Sequence, residues 1–392
     1  MKKTIIEIQN YYQHYDWGTF EAIPDLLKIK KPETNLPLAE LWVGAHPKLP
    51  STVIDSQQGL DQLIAASPQD ILGETVAKTA GSLPYLFKIL SAKQALSIQV
   101  HPNKSQAEQG FNAERAAGIS TDAANCNYKD NNHKPELIYA MTDFVAMAGF
   151  KTPAEIATSL AKLELAEFSV WVDKLAVGGE AELKDFYTWL LYLPQGELTS
   201  ICDKSIKVAA NSQDFELFWL NQLFNLYGAD SGIFFPLVLN LIQLKPGQAI
   251  FLGAGCPHAY LQGTGIEIMA NSDNVLRGGL TSKYMDREEL IKITQYNQAA
   301  NQVNIQTGQQ TDNVLSFDIP VADFQFDLIE LTDKYSYQAG QSGKVELYFV
   351  IDGECIANGQ VFTNAMSFIL PANSANIELN GRAKVARVYT QF

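Results

Sequence analysis

The sequence predicts a mainly β protein that carries an α-helical insert. Three observations predict it. Short alternating strands, broken by proline and glycine, fill residues 1 to about 150. A helical period takes over from Pro153 to about Ala229, and strands return after Gly232 and run to Phe392.

In the first region, Thr4–Glu7, Leu41–Val43, Tyr85–Ile89, Ser97–His101 and Glu136–Ala140 read as strands, with short helices near Leu60–Ala65 and Gln106–Arg115. In the second, Leu183, Phe186, Tyr187, Leu190 and Leu191 follow the spacing of one buried helix face. Phe215, Phe218, Trp219 and Leu223 repeat that spacing with Gln222 as the polar exception. Ser212 and Asp214 are candidate N-caps there, and Gly228 is the stop. Both stripes read as helix core, and the acids Glu182 and Glu216 are expected to be exposed. In the third region the expected strands are Phe234–Gln243, Ala249–Leu252 and Ile266–Ala270, with a turn at Lys245-Pro246-Gly247. No internal repeat is evident. The expected division is a discontinuous β-barrel domain (1–150 and 232–313), a helical insert (151–231) and a second β domain (314–392).

Composition narrows the function. The chain of 392 residues is 46% hydrophobic and 18% charged, an ordinary globular balance with room for two or three domains. A formal charge of -14 argues against nucleic acid and anionic membranes as partners, so an anionic ligand needs a local cluster of cations. Met1-Lys2-Lys3-Thr4-Ile5-Ile6-Glu7 has no long apolar stretch, and no apolar run of roughly 18 residues is available to span a bilayer. A cytoplasmic protein is expected. The four scattered cysteines, Cys126, Cys202, Cys256 and Cys355, read as reduced thiols.

The segment Leu96-Ser97-Ile98-Gln99-Val100-His101-Pro102 carries the first chemical signal. At strand period, Leu96, Ile98 and Val100 point one way, and Ser97, Gln99 and His101 the other. That aims a hydroxyl, an amide and an imidazole into one space. His101 is one of five histidines; Glu136 and His258 stand on other strands. Together Gln99, His101, Glu136 and His258 form an N2O2 ligand set that suits zinc best and admits iron(II), cobalt or manganese. With Glu136 as the sole anionic ligand, a divalent ion keeps about one unit of positive charge and attracts anions or sugar oxygens. Taken singly, His101 reads as a hydrogen-bonded core or rim residue and Glu136 as a solvated strand carboxylate, so the metal reading rests on the four together.

The turn at Pro246-Gly247, a strand and then Pro257-His258 suit a cupin, a jelly roll with a metal in its mouth. Downstream, Glu267 alternates with Ile266 and Ile268, and a Gly- and Asn-rich loop supplies Arg277 and Lys283. Such cations are usually solvated surface groups; here they follow that loop in a chain short of positive charge.

The motifs Tyr15-Asp16-Trp17-Gly18, Ala39-Glu40-Leu41-Trp42-Val43-Gly44-Ala45-His46-Pro47, Leu96–Pro102 and Asn132-His133-Lys134-Pro135-Glu136 continue with Pro257-His258-Ala259-Tyr260. Ile268–Val275 and Arg277-Gly278-Gly279-Leu280-Thr281 complete the set. On these the chain resembles the class I (type I) mannose-6-phosphate isomerases. The match is specific from Tyr15 to Thr281 and weaker beyond, resting there on Ile319–Phe324 and Val385–Tyr389. The resemblance implies two cupin-like domains and a helical domain. It implies one Zn2+ per chain on Gln99, His101, Glu136 and His258, a catalytic arginine at Arg277, and a sugar-phosphate pocket at Ser97, Lys134, Tyr260, Glu267 and Lys283 with Trp17 nearby. A monomer acting on a small sugar phosphate, in the carbohydrate metabolism that leads to GDP-mannose, is the corresponding expectation. Gly278 stands where alanine is common and Ser282 where proline is common; neither removes a functional group. No histidine follows His258, so the last domain does not repeat the metal site.

Chemistry of that class moves a proton between C1 and C2 through a cis-enediol, which needs electrophilic help and a base. Glu267, Lys134 and His133 are the candidate bases. A cupin oxygenase and a non-catalytic sugar-binding cupin are the alternatives; Gln99 with Arg277 and Lys283 points away from the first, and the presence of proton-transfer groups points away from the second.

Overall fold

The strand His258–Ala270 organises the first barrel by changing partners along its length. The computed structural model describes residues 5–210 and 212–392. Met1–Thr4, including the expected strand start at Thr4, lie outside the described residues. The C-terminal half of the strand pairs with Tyr85–Ala92 and Glu136–Ala140, and its first half with Ile98–Val100 and Phe144–Phe150. The switch occurs at a bulge between Tyr260 and Gln262, followed by Gly263 at φ 127°. A Cβ on Gly263 would lie 2.6 Å from the Phe144 ring and 2.7 Å from the Asp143 carbonyl, so the bend requires glycine.

Two antiparallel sheets result, facing each other across the barrel. The first runs Ala249–Leu252, Glu136–Ala140, His258–Ala270, Tyr85–Ala92, Glu40–Gly44, Tyr11–Gln13. The second runs Leu276–Gly279, Ile98–Val100, His258–Ala270, Phe144–Phe150, Leu239–Leu244. Alternation then sorts the side chains. On the first sheet, Phe87, Ile89, Val43, Leu137, Tyr139, Ile266 and Ile268 face outward into one core with Phe326, Leu347, Phe349 and Val388 of the last β region. On the second, Ile98, Val100, Met147, Ala259 and Leu276 face outward into a core with Phe186, Tyr187 and Leu190 of the helices. Inside, Leu90, Ile138, Ala140, Phe144, Ala146 and Tyr260 form a separate apolar cluster. Leu96 belongs to this inner cluster rather than with Ile98 and Val100, because regular strand pairing starts only at Ile98.

The helical insert holds five long helices, Pro153–Ala161, Ala166–Val177, Glu180–Tyr192, Gln195–Ala209 and Phe215–Tyr227. The first expected stripe is buried throughout, from Leu183 to Leu191. Asp214 caps the last helix, accepting from the Glu216 and Leu217 N–H groups, and Gly228 ends it at φ 67°. The second stripe is corrected. Trp219 and Leu223 are buried with Leu217 and Leu220, while Phe215 and Phe218 are 37% and 46% exposed and stack on each other. This helix is apolar nearly all round, so periodicity leaves its phase open. Glu216 is also not free: it pairs with Lys151 at 2.7 Å and Lys162 at 2.9 Å. Ser231–Val238 is helical where a strand was expected to begin at Phe234; Asp230 caps the turn and Pro236 fits a helix start.

The last β region pairs Glu346–Ala357 with Ile377–Tyr389 along nearly their whole length. Two segments assigned by sequence to the first domain join it. Ile6–Gln9 pairs with Ser367–Leu370 and with Thr52–Val53, and Gln309–Thr311 forms a hairpin with Val314–Ser316 that the expected 313/314 boundary cuts. Edge hydrogen bonds, invisible in a one-dimensional pattern, decide both.

Phe186→Ala removes a fully buried ring of the helical core and should cost about 3–5 kcal/mol in chemical denaturation. Phe218→Ala, at a ring 46% exposed, should cost less than about 1 kcal/mol by the same measurement.

Candidate metal centre and active site

Three side chains from three strands converge at the polar end of the barrel. Glu136 Oε1 lies 3.2 Å from His101 Nε2, and Glu136 Oε2 lies 3.2 Å from His258 Nε2. One ligand atom of each residue falls within 4.8 Å of the others, and all three residues are buried. His101 Nδ1 donates to the Asn274 carbonyl at 2.7 Å, and His258 Nδ1 to the Cys256 carbonyl at 3.0 Å. Those bonds select the tautomer that leaves each Nε2 lone pair facing inward. His101 Nε2 is buried without a hydrogen-bond partner among the described residues. Gln99 sits opposite His258 on one side and Arg277 on the other, so strand register puts its amide on the same inner face. An orphaned imidazole nitrogen, a second imidazole, a carboxylate and an adjacent amide are a donor set that fits a borderline divalent ion such as zinc.

The electrostatics agree. Burial lowers the His101 imidazole to about 4 against the pull of Glu136, keeping it the neutral ligand form. Burial pushes the Glu136 carboxyl up, yet Lys134 and His101 outweigh it and hold it well below the usual range. Lys134 Nζ is 2.8 Å from Glu136 Oε1.

Beside this trio lies a second buried charge cluster. Lys88 Nζ is 2.8 Å from Glu267 and 3.5 Å from Glu40, whose carboxylate also accepts from Trp42 Nε1 at 2.6 Å. Burial pulls the Lys88 ammonium down, but Glu267 and Glu40 outweigh it and raise it above the usual lysine range. Burial, opposed by Lys88, raises the Glu267 carboxyl. The buried Tyr260 hydroxyl has no hydrogen-bond partner among the described residues.

The rim is cationic. Arg277 is half-buried and Lys283 exposed, and neither forms an ion pair among the described residues. Burial, then Arg277 and Lys48, draws the Lys283 ammonium below its ordinary value. Lys48 pairs with Asp273 at 2.8 Å, and His46 Nε2 lies 3.5 Å from the same oxygen. The Arg277 strand is anchored from the helical insert: Asp230 Oδ1 accepts from Leu280 N–H at 2.9 Å, and Gly279 at φ 141° has no room for a Cβ against Gly232. Half-buried Ser97 adjoins Leu96, whose N–H donates to the Tyr260 carbonyl at 2.8 Å. Trp17 packs on the Tyr260 cluster and stacks on Tyr15. His133 is turned to Asp323 at 2.9 Å.

Sequence reasoning missed Lys88, Glu40 and the His46–Lys48–Asp273 group. A signal for the first two existed: Lys88 interrupts an apolar strand, and Glu40 and Trp42 share one strand face opposite it. The third group joins residues more than 200 positions apart, and no local pattern announces it.

Comparison with known proteins gives a consistent result. Residues 5–153 match the family described as phosphomannose isomerase type I, catalytic domain, and residues 313–390 the mannose-6-phosphate isomerase cupin domain. The chain is 41% identical to the mannose-6-phosphate isomerase of Escherichia coli K12 over 401 residues, covering 100% of both. It is 33% identical to that of Homo sapiens, covering 88% of this chain and 87% of the relative. The zinc-bound crystal structure of mannose 6-phosphate isomerase superposes with a TM-score of 0.91 at 37% identity, covering 100% of both chains. The apo form from Salmonella typhimurium gives the same values.

The site should take up one divalent ion per chain, measured by elemental analysis after dialysis against zinc. His101→Ala should lose most of that ion while circular dichroism and cooperative thermal unfolding stay native-like, because the three apolar cores lie outside the ligand set.

Proposed function

The chain belongs to the type I phosphomannose isomerase family, and on that premise we propose that it interconverts mannose 6-phosphate and fructose 6-phosphate through a cis-enediol with one zinc ion per chain. The observation that carries this reading is the pair of unpaired cations, Arg277 and Lys283, beside the His101–Glu136–His258 trio in a protein of formal charge -14. A sugar phosphate supplies what both halves lack: oxygens for the metal end and a dianion for the rim. An oxygenase or a passive sugar-binding cupin gives those cations no task.

Gln99, His101, Glu136 and His258 would hold the zinc, which would supply Lewis-acid charge that stabilises a developing enediolate. Lys283, with Ser97 and Lys134, receives the phosphate and sugar hydroxyls; Tyr260 offers its unpartnered hydroxyl, and Trp17 closes the wall. Arg277 sets a fixed positive charge where enediolate charge develops, with little reorganisation because its strand is anchored at Gly279 and Leu280. Glu267 and Lys134 are the proton carriers. Burial favours the protonated form of the Glu267 carboxyl, which suits exchange of a proton with carbon, while Lys88 steadies its charged form. The described helices include none long and apolar enough to cross a membrane. The four cysteines are buried free thiols, which supports a reducing, cytoplasmic setting.

A coupled assay with fructose 6-phosphate should show turnover that chelation abolishes and zinc restores. Arg277→Ala should lower kcat by roughly a hundredfold or more with a smaller change in KM. Lys283→Ala should mainly raise KM. If both variants changed KM alone, Arg277 would belong to substrate binding and not to catalysis.

A further inference from the structure

The hydrogen bond between His133 and Asp323 is the feature that the chemistry above leaves unused. Asp323 is 6% exposed, and its Oδ2 lies 2.9 Å from His133 Nε2. It stands on the loop Ile319–Phe324, against the C-terminal β region, far in sequence from the metal ligands. That loop is held firmly. The Gln325 side-chain amide donates to the carbonyls of Ile319 at 3.1 Å, Val321 at 2.9 Å and Phe324 at 2.8 Å. The Thr390 hydroxyl and the Gln391 N–H both donate to the Ala322 carbonyl, at 2.7 and 2.8 Å.

What it grips is the segment that delivers Lys134 and Glu136. The Asn132 carbonyl accepts from Asn274 Nδ2 at 2.8 Å and from the Ser272 hydroxyl at 3.2 Å, and the Pro135 carbonyl accepts from Ala270 N–H at 3.1 Å. Between these anchors, His133 is fastened to Asp323, and the next residue is Lys134. A buried carboxylate is costly to desolvate, and an apolar pair of equal volume would give similar stability. The gain from a hydrogen bond to a carboxylate here is directional. A charge-assisted hydrogen bond fixes the orientation of the backbone at His133, and with it the side chain that follows.

Resting on the isomerase reading of the site, we infer that Asp323 is a positioning residue: through His133 it sets the Lys134 ammonium against Glu136 and the substrate. This gives the C-terminal β region an indirect part in the reaction, through the placing of Lys134. Misplacing a catalytic group by a fraction of its working distance is enough to slow turnover substantially.

The test compares wild type, Asp323→Ala, Asp323→Asn, His133→Ala and the double alanine variant. The readouts are kcat and KM for fructose 6-phosphate, bound zinc, thermal midpoint and amide exchange across residues 131–135. Asp323→Ala should lower kcat by roughly tenfold to a hundredfold, speed exchange in that segment and lower the thermal midpoint, while leaving zinc content unchanged. Asp323→Asn keeps an acceptor oxygen for the His133 N–H and should recover most of the loss. The double variant should be no slower than Asp323→Ala alone. An active wild type with full kcat in Asp323→Ala overturns the inference, as does a loss at His133→Ala far beyond that at Asp323→Ala. An inactive wild type overturns the proposed function instead, and the exchange data still report whether Asp323 holds the segment.

Discussion

Burying charge is the constraint on which the rest of this structure depends. Glu40, Glu136, Glu267, Lys88 and Lys134 are all nearly inaccessible to water, and each would be better solvated outside. Their pairing is therefore close and mutual: 2.8 Å for Lys88 with Glu267 and 2.8 Å for Lys134 with Glu136. Three carboxylates against two ammonium groups leave one excess negative charge. A divalent cation turns that into a positive balance, the sign that an enediolate and a phosphate require. A site of this kind works only if its members cannot drift apart.

The fold provides that rigidity by packing both outer faces of the barrel. One sheet is backed by the last β region and the other by the helices, so every strand bearing a polar inner residue has an apolar anchor behind it. Ile98 and Val100 fix Gln99 between them; Leu137 and Tyr139 do the same for the strand of Glu136. Close packing of this type has low compressibility and seats side chains in rotamer minima. The helical insert thus shapes the site without offering it a histidine, and it also anchors Arg277 through Asp230 and Gly279.

The overall negative charge fits this arrangement. Repulsion from the bulk of the surface disfavours indiscriminate anion binding, and the unpaired Arg277 and Lys283 confine attraction to one mouth. Lys48 stands near them but is partly neutralised by Asp273.

Much of this was legible in the chain itself. Two-residue alternation in Ser97–His101 placed Gln99 and His101 inward, and helical spacing from Leu183 to Leu191 identified a buried face, because both follow from backbone periodicity alone. The ligand set was not legible residue by residue: His101 and Glu136 read singly as ordinary rim and solvated groups, and only their combination with Gln99 and His258, and the family motifs around them, marked a metal site. Tertiary structure decided the rest. Lys88 stands out in an apolar strand but has no partner until that strand is seen beside Glu267, and Asp323 reads as a loop acid until it meets His133. Phe218 is exposed because packing, and not composition, selects which stripe of an apolar helix turns inward. Ile6–Gln9 belongs to the distant sheet since edge hydrogen bonds form in space between strands whose patterns carry no mark of their partner. Sequence determines which groups a strand or helix presents on a common face; only the fold determines what that face meets.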